Sequence, residues 1–91
     1  MQKLGTGAIG YVKKLLGDHA FQEYEAMKKW PNLVGENIAV HTKAIRISYG
    51  KMTVQVDDPV WRNELLLMKP IILQKYRMLY NDKIVSEIIF L

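Results

Sequence analysis

The 91-residue sequence contains no cysteine. That excludes disulfides and thiolate metal sites, and nothing in it points to an oxidising compartment. Histidine is nearly as scarce: His19 and His41 are the only two, and 22 positions separate them. They form no recognisable zinc-ligand set, so no metal and no cofactor is expected. No apolar stretch reaches the ~18 uncharged residues that a membrane span needs. The first residues, MQKLGTGAIGYVKK, lack the apolar core and cleavage site of a signal peptide. A cytoplasmic protein with no membrane partner is the expectation. Repeats, low-complexity tracts and linkers are also missing, so residues 1–91 read as one domain with no C-terminal extension.

What is present is ordinary globular composition, 49% apolar. A chain of this length buries roughly 60–65% of its unfolded surface, enough for one core but not for a core and a large catalytic cleft. The net charge is +4 and the pI about 9.4. The basic residues are scattered, with no run longer than two. They read either as solvated surface or as one face organised towards a polyanion.

Apolar spacing divides the chain into segments. Ala8, Ile9, Val12, Leu15 and Leu16 predict a helix over 6–16 that closes at Gly17. Asp18 is placed to cap a second helix, with Phe21, Tyr24 and Met27 inward and Lys28-Lys29 at its end. Trp30-Pro31 predicts a break, because proline disfavours α geometry before it and suits a first turn. A third helix then runs from Pro31 to about His41. Next comes a hairpin. With Gly50-Lys51 as a two-residue turn, Tyr49 faces Met52, Ile47 faces Val54 and Ile45 faces Val56, all inward. Asp58 and Pro59 cap and open another helix, which Pro70 either kinks or splits. The final KIVSEIIFL reads as a strand, apolar on both sides and therefore well covered or central. The fold expected is α+β, in the order α-α-α-β-β-α-β, with a three-stranded sheet and helices on one face.

Candidate chemistry is thin. GTGAIG (Gly5, Gly7, Gly10) matches the dinucleotide-binding pattern but has no preceding strand to deliver a pyrophosphate to a helix terminus. Ser48, Ser86 and the threonines show no nucleophile-elbow signature, so no catalytic residue is assigned. His41-Thr42 is either a chemical site or the joint between helix and sheet, and the joint is favoured. Trp30 and Trp61 read as core residues, with a stacking or anchoring role as the alternative. The outer hairpin face, with Lys43, Arg46, Ser48, Lys51, Thr53 and Gln55, is the best polyanion surface. It has no aromatic, so it suits phosphate contact better than base stacking.

Taken in order, Trp30, Val34-Gly35, Ala39, His41-Thr42, the Gly50 hairpin with Met52, Val54 and Val56, Trp61 with Glu64-Leu65 and Lys69, and the terminal Ile88 and Phe90 resemble the DciA family. The resemblance covers about residues 21–91. It implies a KH-like fold and a bacterial, non-enzymatic protein that engages the replicative DnaB-type helicase and assists its loading on DNA, with nucleic-acid affinity as an accessory property. It further implies structural roles for Trp30, Gly35, His41, Thr42, Gly50, Trp61, Leu65 and Phe90. Partner contact is expected around Arg62, Glu64 and Lys69, and nucleic-acid contact at Lys43, Arg46, Lys51 and Lys69.

Two departures stand out. Larger family members carry a basic extension after the domain, whereas this sequence stops at Leu91. Many also have proline where this chain has Ala44. The glycine-rich clamp of KH modules is missing too: the corresponding stretch reads LLMKPII. The alternative function is a general single-stranded DNA or RNA module using the outer hairpin face. An enzyme is a third reading, and no residue names its reaction.

Overall fold

The structure is a computed structural model that describes residues 17–81 and 83–91. The helix expected over 6–16 and the glycines of GTGAIG lie outside the described residues. Within them the order is α1 (Asp18–Val34), α2 (Glu36–Ala39), β1 (Thr42–Ser48), β2 (Lys51–Val56), α3 (Pro59–Leu79) and β3 (Glu87–Phe90). The helices pack on one face of a three-stranded sheet ordered β1-β2-β3. The architecture is α+β, as expected.

Neither proline divides a helix. α1 runs through Pro31 and α3 through Pro70. An interior proline costs ~3 kcal/mol, but each helix carries core residues on both sides of it. Ala26 and Trp30 precede Pro31, with Leu33 and Val34 against the core after it. Leu65 precedes Pro70, and Ile72, Leu73 and Tyr76 follow. Burying several large side chains, at ~1.5–3 kcal/mol each, outweighs one proline. The break expected at Trp30-Pro31 falls instead at Gly35, whose φ of 93° favours glycine. Its N–H donates to the Pro31 carbonyl at 3.0 Å, and its own carbonyl accepts from Ala39 at 2.8 Å. The cap of α1 also differs from expectation, with Gly17 at the N-cap and Asp18 as the first helical residue. Asp58 caps α3 as predicted, accepting from the Val60 N–H at 2.7 Å ahead of Pro59. Tyr76 crosses from α3 to α1 and donates its hydroxyl to the Ala26 carbonyl at 2.9 Å. Burial pushes that phenol's pKa well up, so it stays a proton donor.

The hairpin departs from the expected register. Its turn is Tyr49-Gly50, at φ 52° and 78°, the positive-φ pair that a type I′ turn requires. Ser48 pairs with Lys51, Ile47 with Met52 and Arg46 with Thr53. Ile45 is then bulged out, and beyond it Ala44 pairs with Val54, Lys43 with Gln55 and Thr42 with Val56. Four of the six side chains expected inward, Ile47, Met52, Val54 and Val56, do meet the core. Ile45 and Tyr49 do not, because the bulge ejects one and the turn takes the other.

β3 is shorter than expected and lies at a sheet edge, parallel to β2, with Ile88 opposite Met52 and Phe90 opposite Val54. Ile84 and Val85 are buried before the strand begins, which explains why the segment is apolar on both sides. Gly50 ties this edge to the hairpin. Its carbonyl accepts from the N–H groups of Ser86 (2.7 Å) and Glu87 (3.1 Å).

Candidate functional site

The family-motif residues form connected pairs. Trp30 is buried, and its Nε1 donates to Thr42 Oγ1 at 2.9 Å. That hydroxyl lies 3.2 Å from the Ile38 carbonyl and 3.3 Å from that of Ala39. The threonine therefore satisfies a buried indole and the end of α2 together. The Trp30 ring also meets Phe90 at 6.3 Å. His41 stacks on Trp61, with centroids 5.1 Å apart and planes at 22°. Leu65 is in the core.

His41 has one partner that sequence reasoning missed. Its Nδ1 lies 3.1 Å from Asp57 Oδ1, and the Asp57 N–H donates to the His41 carbonyl at 3.0 Å. The position of Asp57 just after an alternating strand was the available signal. An open depression of about 210 Å³ beside the pair is lined by His41, Thr42, Lys43, Gln55 and Asp57. The neighbouring Thr42 hydroxyl is engaged in the joint, accepting from Trp30 and donating towards the end of α2.

The outer sheet face gathers Lys43, Arg46 and Lys51, all exposed, over Thr53 and Gln55. The bulge is what puts Lys43 there, since strict alternation back from Ile47 would turn it inward. Lys69 does not join them as a free cation, because its Nζ lies 3.3 Å from Glu87 Oε1. The Ile88 N–H, Lys69 and Lys51 hold the Glu87 carboxyl below the usual carboxylate range, against a smaller opposing effect of desolvation. An aromatic that was expected inside is instead in water: Tyr49 is 97% exposed in the turn that leads to Lys51. Ile45 and Ile89 are exposed nearby.

Arg62, Glu64 and Lys69 do not form one patch. At 100° per residue, Arg62 and Lys69 lie on one side of α3, where both are half-buried, and Glu64 lies on the solvent side. Across the molecule, an open groove of about 560 Å³ between α1 and α3 is lined by Lys29, Asn32, Leu33, Lys75, Met78 and Leu79. Among the described residues, no group of three or more His, Cys, Asp or Glu is placed to hold a metal ion, and no helix is long and apolar enough to cross a membrane.

These features define a small α+β scaffold that displays charged side chains and Tyr49 on open surfaces. The family model described as Dna[CI] antecedent, DciA, matches residues 7–90, and the chain belongs to that family. It is also similar to an uncharacterized protein of Treponema pallidum (strain Nichols), 34% identical over 80 residues. The match takes in 88% of this chain and 55% of that relative, so the chain spans about half the relative's length.

Proposed function

We propose that this protein is a non-enzymatic adaptor that engages a DnaB-type replicative helicase and assists its loading on DNA. The family match over residues 7–90 carries this reading. The motif residues support it from the structural side: Trp30, Thr42, Leu65 and Phe90 are used up in packing and hydrogen bonds. Specificity then falls to exposed side chains, as in a protein that acts by contact. The test is immobilised full chain offered the purified replicative helicase of the same organism, with and without single-stranded DNA. Saturable capture is expected. A folded chain that fails to retain the helicase at tens of micromolar sinks the reading.

One observation favours nucleic-acid contact as a second activity. Tyr49 holds a left-handed backbone that is rare outside glycine, asparagine and aspartate, and it leaves its ring almost wholly in water. With Lys51, Arg46 and Lys43 exposed on the two strands that this turn joins, the ring offers a stacking platform at the end of a row of phosphate-binding cations. If three cations each neutralise one phosphate, affinity for a single strand falls with salt at a log–log slope of about −2. The same slope for Lys43→Glu/Arg46→Glu/Lys51→Glu as for the unaltered chain would remove this activity.

A further inference from the structure

The face of α3 that points away from the core carries a regular pattern. Val60, Glu64, Leu67, Ile71, Gln74 and Met78 form one line along the helix, with alternating spacings of four and three. All six are exposed, and the four apolar members stand 70%, 77%, 57% and 81% in water for Val60, Leu67, Ile71 and Met78 respectively. Isolated exposed apolar residues need no explanation, but a line about 27 Å long at 1.5 Å per residue does.

The line reads the same in both directions about position 69: apolar, polar, apolar, apolar, polar, apolar. Its flanks share that symmetry. Glu64 and Lys75 are eleven residues apart, hence within 20° of each other on one flank. Asn63 and Gln74 have the same spacing and lie on the other flank. A surface with this symmetry is complementary to itself under a two-fold rotation.

We propose that α3 pairs antiparallel with α3 of a second copy of this chain, about a two-fold axis beside position 69. Val60 then meets Met78 of the second copy, and Leu67 meets its Ile71. On one flank Glu64 stands beside Lys75 of the second copy, twice by symmetry. On the other, Asn63 and Gln74 exchange amide hydrogen bonds, also twice. Among the described residues, Glu64 has no ion-pair partner within its own chain. Lys75, among the same residues, reaches only the Leu33 carbonyl, at 3.3 Å. Charge complementarity thus selects the antiparallel arrangement, because a parallel one sets glutamate near glutamate and lysine near lysine. The footprint, about 27 Å by about 10 Å on each copy, is small against the ~1,600 Å² of a stable complex. The dimer is therefore weak, with a Kd on the order of 100 µM.

Sedimentation velocity on the full chain from 10 µM to 1 mM tests this. Concentration-dependent dimers are expected. Glu64→Lys or Lys75→Glu alone should weaken association about tenfold, since two exposed pairs per dimer turn repulsive. The double variant Glu64→Lys/Lys75→Glu should restore it. Lys75→Glu also loses the Leu33 contact, so circular dichroism and a thermal melt accompany each variant, and restored association in the double variant separates pairing from folding.

Orientation has its own test, helped by the absence of native cysteine. Mixing Leu67→Cys with Ile71→Cys chains should give mixed disulfide dimers faster than either variant cross-links to itself. A monomer at every concentration overturns the proposal. So do dimers indifferent to both charge reversals, or cross-linking dominated by Leu67→Cys homodimers.

Discussion

Replacing Gly50 with alanine tests the joint between the hairpin and β3 at a single atom. Gly50 sits at φ 78°, and a Cβ built there would lie 2.6 Å from Ser86 Oγ. Two costs follow. Left-handed backbone costs an alanine about 1–2 kcal/mol. The serine hydroxyl must also rotate away, giving up its hydrogen bond to the Gly50 carbonyl at 3.2 Å, worth about 1 kcal/mol. The Ser86 Cβ is no obstacle, since it would stand 3.6 Å away, an ordinary contact. Gly50→Ala should therefore cost about 2–3 kcal/mol, a large part of the ~5–13 kcal/mol expected for a domain of this size. In a Ser86→Ala background the hydroxyl is already gone, and the same substitution should cost only about 1–2 kcal/mol. Urea unfolding of the four proteins in this cycle measures the difference, with midpoints converted at constant m-value. A Gly50→Ala cost that is equal in both backgrounds, or below about 0.5 kcal/mol, refutes the reasoning.

Other outcomes follow from single contacts. Thr42→Val strands the buried Trp30 Nε1 without its acceptor and should cost about 1–3 kcal/mol in urea unfolding, whereas Thr42→Ser, which keeps the hydroxyl, should cost less. Tyr76→Phe removes one buried hydrogen bond to the Ala26 carbonyl and should cost about 0.5–1.5 kcal/mol. The Glu87 carboxyl is held below its ordinary range by the Ile88 N–H, Lys69 and Lys51, so it contributes stability above the unfolded-state pKa of about 4.3 that is lost as pH falls through the folded value. Melting temperatures from pH 7 to 3 should thus fall less steeply for Glu87→Gln than for the unaltered chain. Tyr49→Asn suits the left-handed turn position better and should raise stability by about 0.5–1 kcal/mol while weakening single-strand binding in a fluorescence titration; unchanged binding would discharge Tyr49 from any stacking role.

Local signals read correctly wherever one residue type has one physical use. Asp58-Pro59 marked the start of α3 because only a short acceptor side chain and a pre-set φ serve there. Trp30 was legible as core because a large indole is costly to leave in water. Pro31 misled because its penalty is local, whereas the burial that overrides it comes from residues distant in sequence. The register was not legible for a different reason. Ile45 is apolar and fits an inward position in a regular strand, so nothing in the alternation announces that one residue is extra. That bulge is what lets Lys43 share the outer face with Arg46 while Ile47 stays inward, and the shifted turn moves Tyr49 from the core side into water. Lys69 and Asp57 show the complementary failure. Their partners, Glu87 and His41, lie 18 and 16 positions away, and only the folded topology brings them within reach.

The departures from local preference divide into two kinds, and the division points to where function lies. Pro31 and Pro70 strain their helices, and the core repays them, so they are consequences of packing. Tyr49 in a left-handed turn, the bulge at Ile45 and the apolar line along α3 receive nothing from the core, because all of them face solvent. A sequence that is locally consistent nearly everywhere spends its inconsistencies where something outside the chain compensates for them. The exceptions occupy two separate surfaces, the outer sheet face and the solvent side of α3. Substitutions on one surface should therefore leave contacts through the other unchanged, and Tyr49→Asn combined with Glu64→Lys should give the sum of the separate effects on stability to within about 0.5 kcal/mol.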